Sequence, residues 1–192
     1  QQAEGFIRKF ELIDYANQKI RGVIEGYYGI PWGNKKRKDI MAFSARFKSN
    51  VFIFAPKDDP YHREKWRELY PQDQLAAIGE LAKFGQSVKN RYVWTISPFK
   101  KDASPINEDN VSESIELLLK KFDQLYDVGV RQFGVLGDDV GALPKDVVVQ
   151  VMHAVSNWGR EKQNVYDFVF VPEGYVLADW GFQPDELDQY SA

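Results

Sequence analysis

Two adjacent carboxylates, Asp138 and Asp139, follow almost directly on the apolar run Phe133-Gly134-Val135-Leu136. Side chains at the end of such a run lie in a partly desolvated setting. Two neighbouring carboxyls cannot both ionise cheaply there, so their titrations should be coupled. One member protonated and one ionised near neutral pH is the division that a general acid beside an electrostatic helper requires. The plainer reading makes Asp139 a cap for a helix beginning near Pro144. A second polar concentration, Lys57-Asp58-Asp59, follows Val51-Phe52-Ile53-Phe54-Ala55. Lys57 has the chemistry to hold a substrate hydroxyl or carboxylate, or to pair with Asp58 or Asp59. A third reading takes Asp58, Asp59 and His62 with Asp138 and Asp139 as oxygen-rich ligands for magnesium or manganese. Against it, Tyr61-His62-Arg63-Glu64-Lys65-Trp66-Arg67-Glu68 reads as a loop whose charges satisfy one another. His153 reads as a neighbour of the core on an apolar helix face.

These residues must be positioned by the elements around them. Five short apolar runs, Gly22 to Glu25, Val51 to Ala55, Tyr92 to Ile96, Phe133 to Leu136 and Phe168 to Val171, read as buried parallel strands. Helical spacing fills the gaps between them: Ile40, Phe43 and Phe47; Leu75, Ile78 and Ala82; Ile115, Leu118, Phe122 and Leu125; Val148, Val151 and Val155. Asn34 is a candidate N-cap for the first helix, and Gly129 marks the end of the third. Residues 1–20 read as a helical or irregular lead-in, and no repeat or linker divides the remainder.

Strands and helices in strict alternation give an α/β fold with right-handed crossovers, either an open doubly wound sheet or a TIM barrel. Five strands and four helices make a barrel reading a truncated one, because eight units need on the order of 250 residues and the chain has 192. The open-sheet reading fits the length. However, the first strand-to-helix turn, Glu25-Gly26-Tyr27-Tyr28-Gly29-Ile30-Pro31-Trp32, lacks the glycine spacing of a dinucleotide site, and there is no P-loop. In both architectures the active site lies at the carboxyl ends of the strands. One rim would then gather Glu25-Gly26-Tyr27-Tyr28, Lys57-Asp58-Asp59, Ser97-Pro98, Asp138-Asp139 and Pro172-Glu173-Gly174-Tyr175. Aromatic side chains at that rim, including Tyr27, Trp32 and Tyr61, are suited to stacking on sugar rings.

Composition narrows the chemistry. The chain is 44% hydrophobic and 28% charged, with a formal net charge of -3, which gives no electrostatic reason to expect nucleic acid or an anionic membrane as partner. The absence of cysteine removes disulfides, thiolate nucleophiles and iron–sulfur clusters. No apolar run approaches the ~20 residues of a membrane span, and the first residues lack signal-peptide character.

Two long segments are more specific. Residues Arg21-Gly22-Val23-Ile24-Glu25-Gly26-Tyr27-Tyr28-Gly29-Ile30-Pro31-Trp32 and Ala55-Pro56-Lys57-Asp58-Asp59-Pro60-Tyr61-His62-Arg63-Glu64-Lys65-Trp66-Arg67, followed by Ile96-Ser97-Pro98 and the stretch from Phe133 to Val140, occur together in order. They resemble the catalytic domain of glycoside hydrolase family 84, which contains O-GlcNAcases and bacterial enzymes often called hyaluronidases. The resemblance implies that residues 21–192 are the N-terminal part of a TIM-barrel glycosidase domain. It implies removal of terminal β-linked N-acetylglucosamine with retention, the substrate's own 2-acetamido oxygen acting as nucleophile through an oxazoline, with no metal or other cofactor.

Carried over by position, Asp138 would orient and polarise the acetamide, and Asp139 would serve as acid and then base. Gly26 (through its backbone) and Lys57 would hold sugar hydroxyls, and Tyr175 would line the acetamide pocket. The implied partner is a glycan or glycoprotein carrying N-acetylglucosamine. Self-association would cover the open barrel edges, and a secreted or cell-surface bacterial protein is the expected setting. Three positions depart from the family pattern: Gly137 stands where a bulkier residue commonly precedes the aspartates, Phe99 replaces the usual glycine, and Gly174 rather than an acid precedes Tyr175. These departures motivate the alternative of a non-catalytic glycan-binding relative.

Overall fold

The structure, a computed structural model, describes residues 11–138, 140–141 and 144–174. Five strands alternate with four helices: β1 (Gly22–Glu25), α1 (Asn34–Ala45), β2 (Val51–Phe54), α2 (Gln72–Ser87), β3 (Arg91–Ile96), α3 (Val111–Asp127), β4 (Gln132–Leu136), α4 (Lys145–Glu161) and β5 (Val169–Val171). All neighbouring strands are parallel and the spatial order is β1-β2-β3-β4-β5. A doubly wound sheet reverses direction at a switch point, whereas each strand here is added beside its predecessor. Among the described residues the sheet is therefore a half-barrel of TIM type, with five strands and four helices.

The strand period explains how the sheet is covered. In β3 and β4, Trp94 and Phe133 face the helices, where both pack against Phe122 of α3, at 6.1 and 4.7 Å between ring centroids. Trp158 of α4 closes on Phe133 at 5.1 Å. This aromatic layer, with Leu118, Leu125, Val147, Val151 and Val155 buried beside it, is the centre of the core. Leu75, Ile78 and Ala82 of α2 are buried as their spacing requires. Close approach sets one glycine: a Cβ on Gly85 would meet the Asn90 carbonyl oxygen and the Met41 methyl at 2.5 Å each, so the end of α2 can lie directly on the start of β3.

Several expectations are corrected. Phe43 and Phe47 are 61% and 68% exposed; the buried face of α1 carries Arg37 and Met41 instead, because Glu25 of β1 draws the Arg37 side chain inward. The two phenylalanines pack on each other at the surface, 5.0 Å apart. Gly33, not Asn34, occupies the cap position of α1. The Asn34 side chain accepts a hydrogen bond from Arg37 at 3.0 Å. In β1 only Glu25 is buried, since this strand is an edge with a single neighbour. Pro144 precedes α4 with no side-chain cap. Residues 11–20 form no helix or strand. Gly129 does follow the end of α3, with φ of 105°. No helix among the described residues is long and apolar enough to cross a membrane.

Candidate active site

Parallel strands bring the residues after β1, β2, β3 and β4 to one rim. There the Lys57 ammonium donates to the Asp138 carboxylate at 3.2 Å, joining the end of β2 to the end of β4 across β3. Both side chains are nearly enclosed, at 12% and 17% exposure. Lys57 thus pairs with Asp138, 81 residues away, and not with Asp58 or Asp59. Asp58 accepts from the Gly29 amide at 2.8 Å, and the Lys57 amide donates to the Tyr27 carbonyl at 3.2 Å. The β1–α1 and β2–α2 loops are stitched together by these bonds. Gly26 is exposed on the first of them, with only the Ile24 side chain near the position of a Cβ. Asp139 and Tyr175 lie outside the described residues.

Gly137, the first departure from the family pattern, is held in the sheet. Its amide donates to the Val171 carbonyl at 2.8 Å, extending the β4–β5 ladder to the residue before Asp138. Phe99, the second departure, is buried in the core.

Glu25 leaves the rim. It is fully buried against α1, accepting from Arg37 Nε at 2.7 Å and Nη2 at 3.0 Å, and from the Trp32 amide at 2.8 Å. The period of two along β1 turns its side chain outward, so it secures the rim loop from behind. The stretch after Pro60 is also not a self-satisfied surface loop. His62, Arg63 and Trp66 are buried. His62 Nδ1 is 2.7 Å from the Thr95 carbonyl, and its own carbonyl accepts from the Ser97 amide at 2.9 Å. Arg63 donates to the Lys57 carbonyl at 3.4 Å. His153, by contrast, is exposed on α4.

Beneath the loop lies a polar network. Asp59 accepts from the amides of Tyr61 and His62, at 2.8 and 3.1 Å, and from the Tyr70 hydroxyl at 3.2 Å. That hydroxyl accepts from the Trp94 indole at 3.1 Å. Lys121, completely buried on α3, donates to the Tyr61 carbonyl at 2.7 Å with the rings of Tyr61, Tyr70 and Trp94 around it. Burial pushes the ammonium down to about 7, opposed by the Asp59 charge, while burial raises Asp59. Asp59 is committed to this network, and among the described residues no three acidic or histidine side chains converge on an ion site. Lys121 went unread in the sequence although a signal existed: it falls three residues after Leu118 and four before Leu125, on the buried stripe.

Burial also drives His62 down from 6.5 to about 4, with Lys57 and Arg63 adding to the shift and Asp138 opposing it. The unfolded chain binds this proton near pH 6.5 and the folded one only near 4. Stability is therefore expected to fall as pH drops from about 6.5 to about 4, by roughly 3 kcal/mol from this group. Urea unfolding at pH 7 and pH 4 checks this; the loss should shrink in His62→Asn.

The family model for β-N-acetylglucosaminidase matches residues 21–190, which includes every strand of the sheet. The chain belongs to this family. It is a fragment of a glycoside hydrolase family 84 catalytic domain, and its solved relatives share its fold. The structure of CpGH84D is 47% identical and superposes with a TM-score of 0.82, over 88% of this chain and 28% of that one. A Thermobaculum terrenum O-GlcNAc hydrolase is 26% identical with a TM-score of 0.70, over 82% of this chain and 35% of that one. The protein O-GlcNAcases of Rattus norvegicus and Mus musculus are each 30% identical over 167 residues, 85% of this chain. The family 84 chain spans only 17% of the length of these curated relatives.

Proposed function

We propose that the chain carries the acid/base and acetamide-orienting part of a β-N-acetylglucosaminidase that works by substrate-assisted retention. The observation that carries this reading is the enclosed Lys57–Asp138 contact at the carboxyl rim of a half-barrel that matches the family over residues 21–190. In the first step the substrate's acetamido oxygen attacks C1. The bond from C1 to the leaving oxygen breaks, and Asp139 gives that oxygen a proton. Asp138 holds the acetamide N–H, which increases electron density on the attacking oxygen. In the second step water attacks C1, Asp139 takes a proton from it, and the protonated oxazoline, its N–H still held by Asp138, opens to regenerate the acetamide. This dispenses with an enzyme nucleophile, unlike the usual pair of carboxylates.

Lys57 has donors left after its bond to Asp138, because an ammonium carries three. These, with the exposed backbone at Gly26, would bind sugar hydroxyls, and Tyr175 would line the acetamide pocket. The natural partner would be a glycan or glycoprotein bearing N-acetylglucosamine. Gly137, held in the sheet, gives no support to a loosened, non-catalytic aspartate pair.

The test compares fluorogenic β-glycosides whose 2-substituent is N-acetyl or N-trifluoroacetyl, using the intact gene product. Fluorine withdraws electron density from the acetamido oxygen. A fall in kcat of tenfold or more is expected, and equal rates, or equal turnover of the corresponding β-glucoside, would overturn participation by the substrate.

A further inference from the structure

His62 combines three features that a packing role does not require together. Its ring is completely buried. Its Nδ1 is fixed on the Thr95 carbonyl at 2.7 Å. A carbonyl only accepts, so the proton resides on Nδ1 and Nε2 is left as a bare acceptor. That Nε2 has no hydrogen-bond partner despite its burial. An unpaired buried acceptor is destabilising, a cost that a residue serving only to pack would avoid with an apolar ring.

The surroundings indicate what the acceptor serves. The charges acting on His62 are those of Lys57 and Arg63, from its own loop, and of Asp138 at the end of β4. Asp59, also in its loop, is occupied with the backbone amides of Tyr61 and His62. Thr95, from β3, supplies only a carbonyl to the ring, while its hydroxyl donates to the Phe54 carbonyl at 2.7 Å. His62 is thus docked on Thr95 and Ser97 at the end of β3, the strand that the Lys57–Asp138 contact spans, and its neighbour Arg63 holds the Lys57 carbonyl. A proton on Nε2 would place a third cation there, competing with Lys57 for Asp138.

We propose that His62 is a positioning residue for the Lys57–Asp138 pair: its ring, locked by Thr95, offers Nε2 as the acceptor that keeps Lys57 and Asp138 in register through one bridging water. This rests on the reading of Asp138 as the acetamide-orienting group, and it adds a residue that acts through the pair without touching substrate. The acceptor would take one O–H of a water that Lys57 also binds, leaving the Asp138 carboxylate free to turn toward an acetamide.

The placement can be tested without activity, by nitrogen-15 NMR of the imidazole in this chain. The spectrum should show Nδ1 protonated and Nε2 bare, with no titration between pH 7 and 5. The Nε2 resonance should move by several parts per million in Lys57→Met or Asp138→Asn, and stay in place in Asp146→Asn on α4. An Nε2-protonated tautomer, or an Nε2 signal indifferent to both rim substitutions, would overturn the proposal. In the intact gene product, His62→Asn keeps a donor for the Thr95 carbonyl but removes the Nε2 acceptor. It is expected to lower kcat about tenfold and to move the acid limb of the pH profile, with thermal stability nearly unchanged. Wild-type kcat and an unmoved pH profile would show that His62 only packs. Absence of turnover in the unsubstituted protein would count against the functional reading alone, since the NMR result stands apart from it.

Discussion

Alanine in place of Glu25 is expected to lower the free energy of unfolding by about 3–5 kcal/mol. The side chain is completely buried and takes both Arg37 Nε and Nη2 in a fork, at 2.7 and 3.0 Å. Removing the carboxylate strands the guanidinium over the Phe54 ring, 4.8 Å from its centroid, with Asn34 left as its acceptor among the described residues. It also orphans the Trp32 amide, which now donates to Glu25 at 2.8 Å. A domain whose whole stability is of order 5–15 kcal/mol would lose roughly a fifth of it or more. The check is urea denaturation followed by tryptophan fluorescence. The double substitution Glu25→Leu with Arg37→Met should recover most of the loss, because no charge remains buried. A Glu25→Ala loss below about 1 kcal/mol would show that water reaches the pair.

Asparagine at position 139 is expected to reduce kcat on alkyl N-acetylglucosaminides by roughly 10²–10⁴-fold. The amide is nearly isosteric but has no proton to give to a leaving oxygen. The dependence on leaving group distinguishes this from a general loss of structure. An aryl leaving group with an acidic phenol needs little protonation, so its first step should be much less affected than that of an alkyl or sugar leaving group. Steady-state kinetics of the intact gene product on a series of aryl and alkyl glycosides reads the difference. A uniform loss across the series would remove Asp139 from the acid role.

The elements of the half-barrel were legible because apolar strand runs and helical spacing are strong local signals. The runs from Gly22 to Glu25 and from Phe133 to Leu136 fall on β1 and β4, within a residue of their ends. Which architecture they form was not a local matter: the barrel followed from the resemblance and is seen in the strand order. What escaped the sequence lies mainly in charge burial. Arg37, His62, Arg63 and Lys121 are buried ionisable residues, and composition alone places such residues outside. Three of them are held by partners at least 12 residues away, Arg37 by Glu25, His62 by Thr95 and Lys121 by Tyr61. A strand's period could have placed Glu25 opposite its rim neighbours, but only the structure supplies the helix that receives it. Of the site residues, Lys57 and Asp138 meet, a contact across 81 residues for which periodicity has no signal.

The order of the sheet also bears on how the chain reaches this state. Each strand pairs with its immediate predecessor, at separations of roughly 30–40 residues, so no crossover waits for a distant partner. A chain emerging from the ribosome can add one strand and one helix at a time to a surface already formed. Lys57 and Asp138 are the exception, meeting only once β3 and β4 are both in place. That contact is thus made after the sheet has begun to grow, on a scaffold whose first strands can already be ordered.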